Sequence, residues 1–341
     1  MRSAALAALV TIAACHEPGG QELLPPPPAE SWARYCALCH GDEGEGYAAD
    51  AATALANQEF LATASDELIA SAIELGRPGT TMSAWSTARG GPLPPAEIDA
   101  LVGFVREWQT APSIDVSGVT VEGNTERAAP LWEFQCASCH GAAGGGGPFA
   151  SVVSPTFLAH ASDGFLRHAI AKGRPGTPME AFEDRLTAQA IDDLVVLLRS
   201  WQVPIDDTPD ELPVLDPATM VVNPTGPAPE LGDERHVPVD TVAAELARGA
   251  AMVLLDARPP GDYVAGHIAG AVSVPFYAVD EAVDLLPRDH WIVSYCACPH
   301  AESGEAADAL VAHGFDRVRV LDEGVRVWAE RGHPMREGAA P

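Results

Sequence analysis

The spacing of apolar residues divides the chain into helical stretches and, further on, strand-like ones. Ile98, Leu101, Val102 and Val105 fall at i, i+3, i+4 and i+7 after Pro94-Pro95, the spacing of a helix with one buried face. Ile191, Leu194, Val195 and Leu198 repeat that spacing after Thr187. Cap residues at both ends predict a helix from Ser65-Asp66-Glu67 to Gly76. Another is expected around residues 30–38. From residue 250 the texture changes. Met252–Leu255, Val272–Val274, Trp291–Tyr295 and Val318–Leu321 are short apolar runs separated by helical stretches such as Ala301–His313. That alternation predicts a small parallel sheet with helices on both faces. The expected fold is multidomain, with two all-α domains followed by an α/β domain.

Three stretches lack either period. Residues 112–127 and the Pro- and Asp-rich residues 204–233 read as linkers. At the start, Arg2 precedes a run of Ala, Leu, Val and Ile that ends at Ala14. This run is too short to span a bilayer and fits a signal peptide over residues 1–14. The last four residues of Ile12-Ala13-Ala14-Cys15 resemble a bacterial lipoprotein cleavage box. The resemblance implies lipidation of Cys15 and a lipid-anchored, Pro-rich spacer over residues 15–28. His16 stands where Asp would hold such a protein at the inner membrane, which leans the expectation toward the outer membrane.

The helical part is an internal repeat. Residues 60–85 read FLATASDELIASAIELGRPGTTMSAW, and residues 157–182 read FLAHASDGFLRHAIAKGRPGTPMEAF. Each copy is closed by an amphipathic segment ending in Trp-Gln, Trp108-Gln109 and Trp201-Gln202. The period of about one hundred residues is too long for a solenoid unit and reads as two tandem small domains. Each copy is preceded by Cys-x-x-Cys-His: Cys36-Ala37-Leu38-Cys39-His40 and Cys136-Ala137-Ser138-Cys139-His140. Two thiols at this spacing can each form a thioether to a haem vinyl group, and the adjacent His then supplies an axial nitrogen.

Both repeats resemble small single-haem cytochrome c domains, placed at residues 29–111 and 128–203. The resemblance implies two covalently bound haem c groups and makes Gly-Arg-Pro-Gly-Thr-x-Met the loop of the sixth ligand. Met82 and Met179 would then stand opposite His40 and His140. His16, His160 and His168 are competing ligands. Thr63 and Ser71 align with His160 and His168 in the first repeat, so these two read as surface or helix-face histidines. Haem attachment of this kind is extracytoplasmic in bacteria, so the cofactor and the leader both point to the periplasm.

The formal net charge is −28, and Lys172 is the lone lysine. Residues 1–233 carry a net −20 and residues 234–341 a net −8. Such a chain does not bind nucleic acid or anionic lipid by charge. A redox partner (another cytochrome, an oxidase or a reductase) would be neutral or basic near its own centre. Of seven cysteines, one is assigned to the anchor and four to haem, leaving Cys296 and Cys298.

The third stretch resembles a rhodanese-like sulfurtransferase domain over roughly residues 234–337. The resemblance rests on Asp256-Ala257-Arg258, on Tyr263 through Ala271 with Pro275, and on Gly314-Phe315 through Gly324-Val325 to Trp328. It places Cys296 at the end of a central strand, at the start of a tight loop leading into a helix. Backbone N–H groups and the helix N-terminus there form an anion cradle that lowers the thiol pKa and steadies a persulfide. Cys296 is the nucleophile that takes a sulfane sulfur. Cys298 and His300 are accessory candidates, whereas Asp256, Arg258 and His267 read as supports of the fold. The loop Cys296-Ala297-Cys298-Pro299-His300-Ala301-Glu302-Ser303 departs from the family. It carries no Arg, Ser303 lies one residue late, and Glu302 ends it.

The combination implies a dihaem electron-transfer protein coupled to a sulfur-binding or sulfurtransferase domain in extracytoplasmic sulfur redox metabolism. Its chemistry would be that of a thiosulfate- or persulfide-type sulfurtransferase, or of a sulfur-compound oxidoreductase. The alternative is a plain dihaem shuttle whose third domain docks or binds sulfur without turnover. Peroxide reduction is disfavoured, because Met as sixth ligand leaves no open coordination site.

Overall fold

The computed structural model describes residues 26–49, 52–205, 211–297 and 300–341. The expected leader, Cys15, His16 and Cys298 lie outside the described residues. No helix among the described residues is long and apolar enough to cross a membrane.

The first domain contains α1 Pro28–Tyr35, α2 Ala37–His40, α3 Gln58–Leu61, α4 Asp66–Leu75 and α5 Pro95–Glu107. Local chemistry sets these bounds. Ser65 caps α4 by accepting from the Leu68 N–H, and the Asn57 side chain caps α3. Pro95 opens α5, where its missing N–H has no intrahelical partner to lose. Ile98, Leu101, Val102 and Val105 are buried in a core shared with Trp32, Leu61, Leu68 and Ile69.

The second domain repeats this order with α6 Thr125–Gln135, α7 Ala137–His140, α8 Pro155–His160, α9 Asp163–Lys172 and α10 Ala188–Ser200. Ser162 and Thr187 provide the caps of α9 and α10. One fastener recurs in both domains. Arg106 near the end of α5 donates to the Leu61 and Ala64 carbonyls and pairs with Asp66 at 2.8 Å. Arg199 of α10 donates to the Leu158 and Ala161 carbonyls and pairs with Asp163 at 2.7 Å.

The two helical domains meet reciprocally, as in an isologous dimer. α3 packs on α9, and its counterpart α8 packs on α4. The Arg77 guanidinium lies 4.3 Å from the Phe157 ring centre across the interface. Arg174 lies 5.7 Å from Phe60, the counterpart of Phe157. Asn57 Nδ2 donates to the Pro175 carbonyl at 2.9 Å. His168, expected at a surface or helix face, is a bridge between the domains: its Nε2 stands 2.6 Å from Glu59 Oε2.

The third domain is α/β. Its strands are β1 Val221–Val222, β2 His236–Val237, β3 Met252–Asp256, β4 His267–Ile268, β5 Val272–Ser273, β6 Trp291–Tyr295, β7 Val318–Leu321 and β8 Met335–Arg336. The helices are α11 Val239–Ala247, α12 Pro260–Ala265, α13 Val279–Ala282, α14 Ala301–Ala312 and α15 Gly324–Glu330. The main sheet runs β1-β3-β6-β7-β2, with β5 also on β3. It is mixed rather than purely parallel, because β1 pairs antiparallel with β3. β1 comes from the stretch expected to be a linker, and Met220 and Leu231 of that stretch are buried. Two strand residues without periodicity leave no sequence signal, and only pairing to β3 creates this edge. β3 is buried along its whole length, and its first four residues, Met252–Leu255, read as a continuous apolar run. Each such side chain contributes about 1.5–3 kcal/mol by leaving water.

The third domain packs on the first. Phe276 and Tyr277 form an aromatic cluster with Tyr35 and Trp85, at ring separations of 5.8–6.4 Å across the interface. Arg34 Nη2 donates to the Tyr277 carbonyl at 3.0 Å. α14 packs against α2.

Candidate functional site

Cys36, Cys39, His40 and Met82 line one cavity of about 610 Å³. α1 and α2 bring the thiols and the imidazole to it. Trp32 Nε1 donates to the Gly41 carbonyl at 3.1 Å and ties down the turn after His40. Gly41 there has φ +81°, the left-handed region that favours glycine. His40 Nδ1 donates to the Thr53 carbonyl at 2.8 Å. A carbonyl only accepts, so Nδ1 carries the proton and Nε2 keeps its lone pair for a metal. Burial pushes the Cys36 thiol up to about 12. That keeps the thiol neutral, opposite to the shift of a redox or metal-binding cysteine.

Met82 is placed by its loop. Arg77 N donates to the Met82 carbonyl at 2.8 Å, and Met82 N donates to Thr80 Oγ1 at 3.1 Å. Gly76 makes room for this loop. It has φ +65°, and a Cβ there would stand 2.6 Å from the Met82 carbonyl oxygen. The second domain repeats each part. His140 Nδ1 donates to the Ala150 carbonyl at 3.2 Å. Arg174 N donates to the Met179 carbonyl at 2.7 Å, and a Cβ on Gly173 would meet that oxygen at 2.5 Å. Burial pushes the Cys136 thiol up to about 11. His160, a competing ligand in the sequence, turns its Nδ1 to the Thr156 carbonyl of its own helix at 2.8 Å.

The cavity wall is completed by the other domains. Gly145 through Ser151 of the second domain line it, as do Glu302, Arg326 and Glu330 of the third. Ser83, next to Met82, hydrogen-bonds to Asp262 of α12.

In the third domain, Cys296 follows β6 and is fully buried, with Sγ 3.3 Å from Ser303 Oγ in the first turn of α14. Gly324 presses on this strand end. At φ +75° its Cβ would stand 2.8 Å from the Cys296 carbonyl oxygen, which accepts from Val325 N at 2.9 Å. Glu302 turns inward. Burial, then the nearby Cys296, raise its carboxyl pKa well above the ordinary range, so the group is held neutral. Asp256 and Arg258 form a buried two-pronged ion pair at 2.9 and 2.5 Å, and Arg258 also donates to the Gly266 carbonyl. His267 stacks on Tyr263 at 3.7 Å. His300 Nε2 stands 2.8 Å from Asp322 Oδ1, and its ring stacks on His236.

Family comparison matches this geometry. Residues 24–105 and 123–198 match the family "Cytochrome C oxidase, cbb3-type, subunit III". Residues 239–331 match the rhodanese-like domain family. The chain is a tandem cytochrome c fused to a rhodanese-like domain. The fusion is 29% identical over 96 residues to a sulfurtransferase of Allochromatium vinosum, covering 28% of this chain and 89% of that protein. It is 30% identical over 97 residues to the thiosulfate sulfurtransferase GlpE of Stutzerimonas stutzeri, covering 28% and 85%. It is also 33% identical over 106 residues to the HTH-type transcriptional regulator Rv0324 of Mycobacterium tuberculosis. That match covers 30% of this chain and spans about half of the regulator's length, 47%. A solved rhodanese-like domain of the Alr3790 protein from Anabaena sp. aligns at 29% identity and TM-score 0.29, over 31% of this chain and 80% of that one.

The cytochrome c domains of the fusion imply covalently bound haem c, and the cavity fits it. Both thiols, the imidazole and a thioether line the same space, and the imidazole Nε2 is available. Arg77 Nε is also buried without a hydrogen-bond partner among the described residues. Burial without an anion lowers the Arg77 guanidinium to about 10, and a haem propionate would supply that anion. The sequence reading missed the roles of Arg77 and Arg106. The arginines were findable, because Arg174 and Arg199 recur at their places in the repeat.

Proposed function

We propose that the fusion oxidises a reduced sulfur compound at Cys296 and passes the electrons into its cytochrome domains. The observation that carries this reading is the shared wall. Glu302, Arg326 and Glu330 of the rhodanese-like domain line the cavity that holds Cys36, Cys39, His40 and Met82. α14, which begins where the Cys296 loop ends, packs on α2. The sulfur site therefore adjoins the first cytochrome domain.

Two haems would be held through Cys36 and Cys39 with His40 and Met82, and through Cys136 and Cys139 with His140 and Met179. When bound, each would supply a one-electron acceptor, and two match the two electrons released by forming one S–S bond. The Cys296 thiolate and hydrosulfide form that bond, giving a Cys296 persulfide, one proton and two electrons. A thiol or sulfite then removes the outer sulfur and restores the thiolate. Ser303 Oγ, 3.3 Å from Sγ, and the N-terminus of α14 stabilise the sulfur anion. The loop carries no Arg, and Glu302 faces inward. A small sulfide or persulfide therefore fits better than the thiosulfate dianion. The leader-like residues 1–14 and Cys15 support a periplasmic lipoprotein and lean toward the outer membrane. Its electrons leave to a neutral or basic redox protein.

Rapid anaerobic mixing of the ferric protein with sulfide tests this, followed by haem reduction and by intact mass. Reduction with a gain of one sulfur at Cys296, both lost in Cys296→Ser, is the expected result. Equal reduction in Cys296→Ser would leave the second reading, a plain electron shuttle with a non-catalytic sulfur-binding module. The full burial of Cys296 favours that second reading.

A further inference from the structure

We infer that His236, His300 and Asp322 form a binding site for a borderline divalent cation of the zinc class, at the edge of the sheet beside the Cys296 loop. Three separate elements build it. His236 lies on β2, which runs parallel to β7 with His236 opposite Val320. Asp322 follows the end of β7, and its N–H donates to the Val237 carbonyl at 2.9 Å, which fixes it beside β2. His300 closes the loop onto α14 with φ +69°. A non-glycine residue adopts this left-handed conformation at a cost. Here the turn carries the His300 ring onto His236, at 4.0 Å between ring centres. His300 Nε2 and Asp322 Oδ1 are 2.8 Å apart, and one donor atom from each of the three residues lies within 4.8 Å of the others.

The donor chemistry selects the cation. Two imidazoles and one carboxylate suit zinc, copper or nickel and not magnesium or calcium, which prefer all-oxygen sites. Zinc binds imidazole nitrogen and carboxylate oxygen at about 2.0–2.2 Å, so His300 and Asp322 are already close enough to share one ion. His236 is the exposed member. Its ring has to rotate out of the stack to bring the third donor onto the ion. Three protein donors leave a fourth position to water or to a ligand. A cation there ties the loop that begins at Cys296 to the ends of β2 and β7.

The test titrates the full-length, haem-loaded protein with zinc chloride, by calorimetry and by metal analysis after gel filtration. One zinc per chain is expected. Its affinity should fall at least tenfold in His236→Ala, an exposed position that leaves the fold intact, and likewise in Asp322→Asn. His290→Ala is the control, because His290 forms another exposed pair, with Asp289 at 2.9 Å. Zinc should also slow amide exchange at residues 300–304. Zinc binding unchanged in His236→Ala, binding lost in His290→Ala instead, or no retained zinc at all would each overturn the assignment. Sulfide-dependent haem reduction does not enter this readout, so the zinc site and the sulfur chemistry stand or fall separately.

Discussion

Phe276→Ala separates the two packing roles of one ring. Phe276 is 9% exposed, and a buried Phe→Ala change costs about 3–5 kcal/mol in all. Part of that cost lies within the rhodanese-like domain, against Tyr277 at 5.3 Å. The rest couples domains, through edge contacts to Tyr35 at 6.4 Å and Trp85 at 6.3 Å. Each such aromatic pair contributes about 0.5–1.5 kcal/mol beyond its buried area. The two together bind the rhodanese-like domain to the first cytochrome domain by about 1–3 kcal/mol. That shifts the docking equilibrium roughly 5- to 150-fold. Denaturant unfolding read by Soret and far-UV circular dichroism, in a double-mutant cycle with Trp85→Leu, isolates the coupling. The account expects a coupling energy above about 0.5 kcal/mol and unfolding of the two domains that separates in Phe276→Ala. Additive effects within about 0.3–0.5 kcal/mol would show that the two rings do not couple the domains, and the docked arrangement would fail.

Four further outcomes follow from single sites. Glu302→Gln should stabilise the protein increasingly as pH rises above the ordinary carboxylate value of 4.5. The unfolded Glu ionises there and the buried one does not, so thermal melts across pH should diverge by up to about 1.4 kcal/mol per pH unit and coincide in acid. Tyr277→Phe should be neutral or stabilising in the same melts, because its hydroxyl is buried without a partner among the described residues and such a group costs about 1–3 kcal/mol. Gly76→Ala should displace Met82 and lose the spectroscopic signature of thioether ligation from one haem while sparing the other. Cys36→Ser with Cys39→Ser should halve the covalently bound haem, measured as pyridine haemochrome per chain.

Much of this architecture is legible in the sequence because its causes are local. Ser65 and Thr187 cap helices where short-range chemistry requires a cap, and Met252–Leu255 of β3 and Trp291–Val293 of β6 read as apolar runs. The two Cys-x-x-Cys-His motifs and the Met loops are legible through repetition. The remainder arises from contacts distant in sequence. β1 is two residues long and exists only because β3 offers an edge. The docking of Phe276 and Tyr277 on Tyr35 and Trp85 joins residues with no shared period. The sequence around Glu302 carries no signal for which way its carboxyl faces. Its inward turn follows from the position of α14 between the Cys296 loop and α2. His236 lies on a two-residue strand far from His300 in the chain, so neither residue announces the other.

The central claim, that sulfur bound at Cys296 is the source of electrons for the cytochrome domains, is tested most directly by counting. A single anaerobic turnover with limiting sulfide, with haem reduction and Cys296 persulfide quantified in the same sample, gives the ratio. The account predicts two haems reduced for each persulfide formed, with neither product in Cys296→Ser. Haem reduction without a matching persulfide, or undiminished reduction in Cys296→Ser, would contradict it.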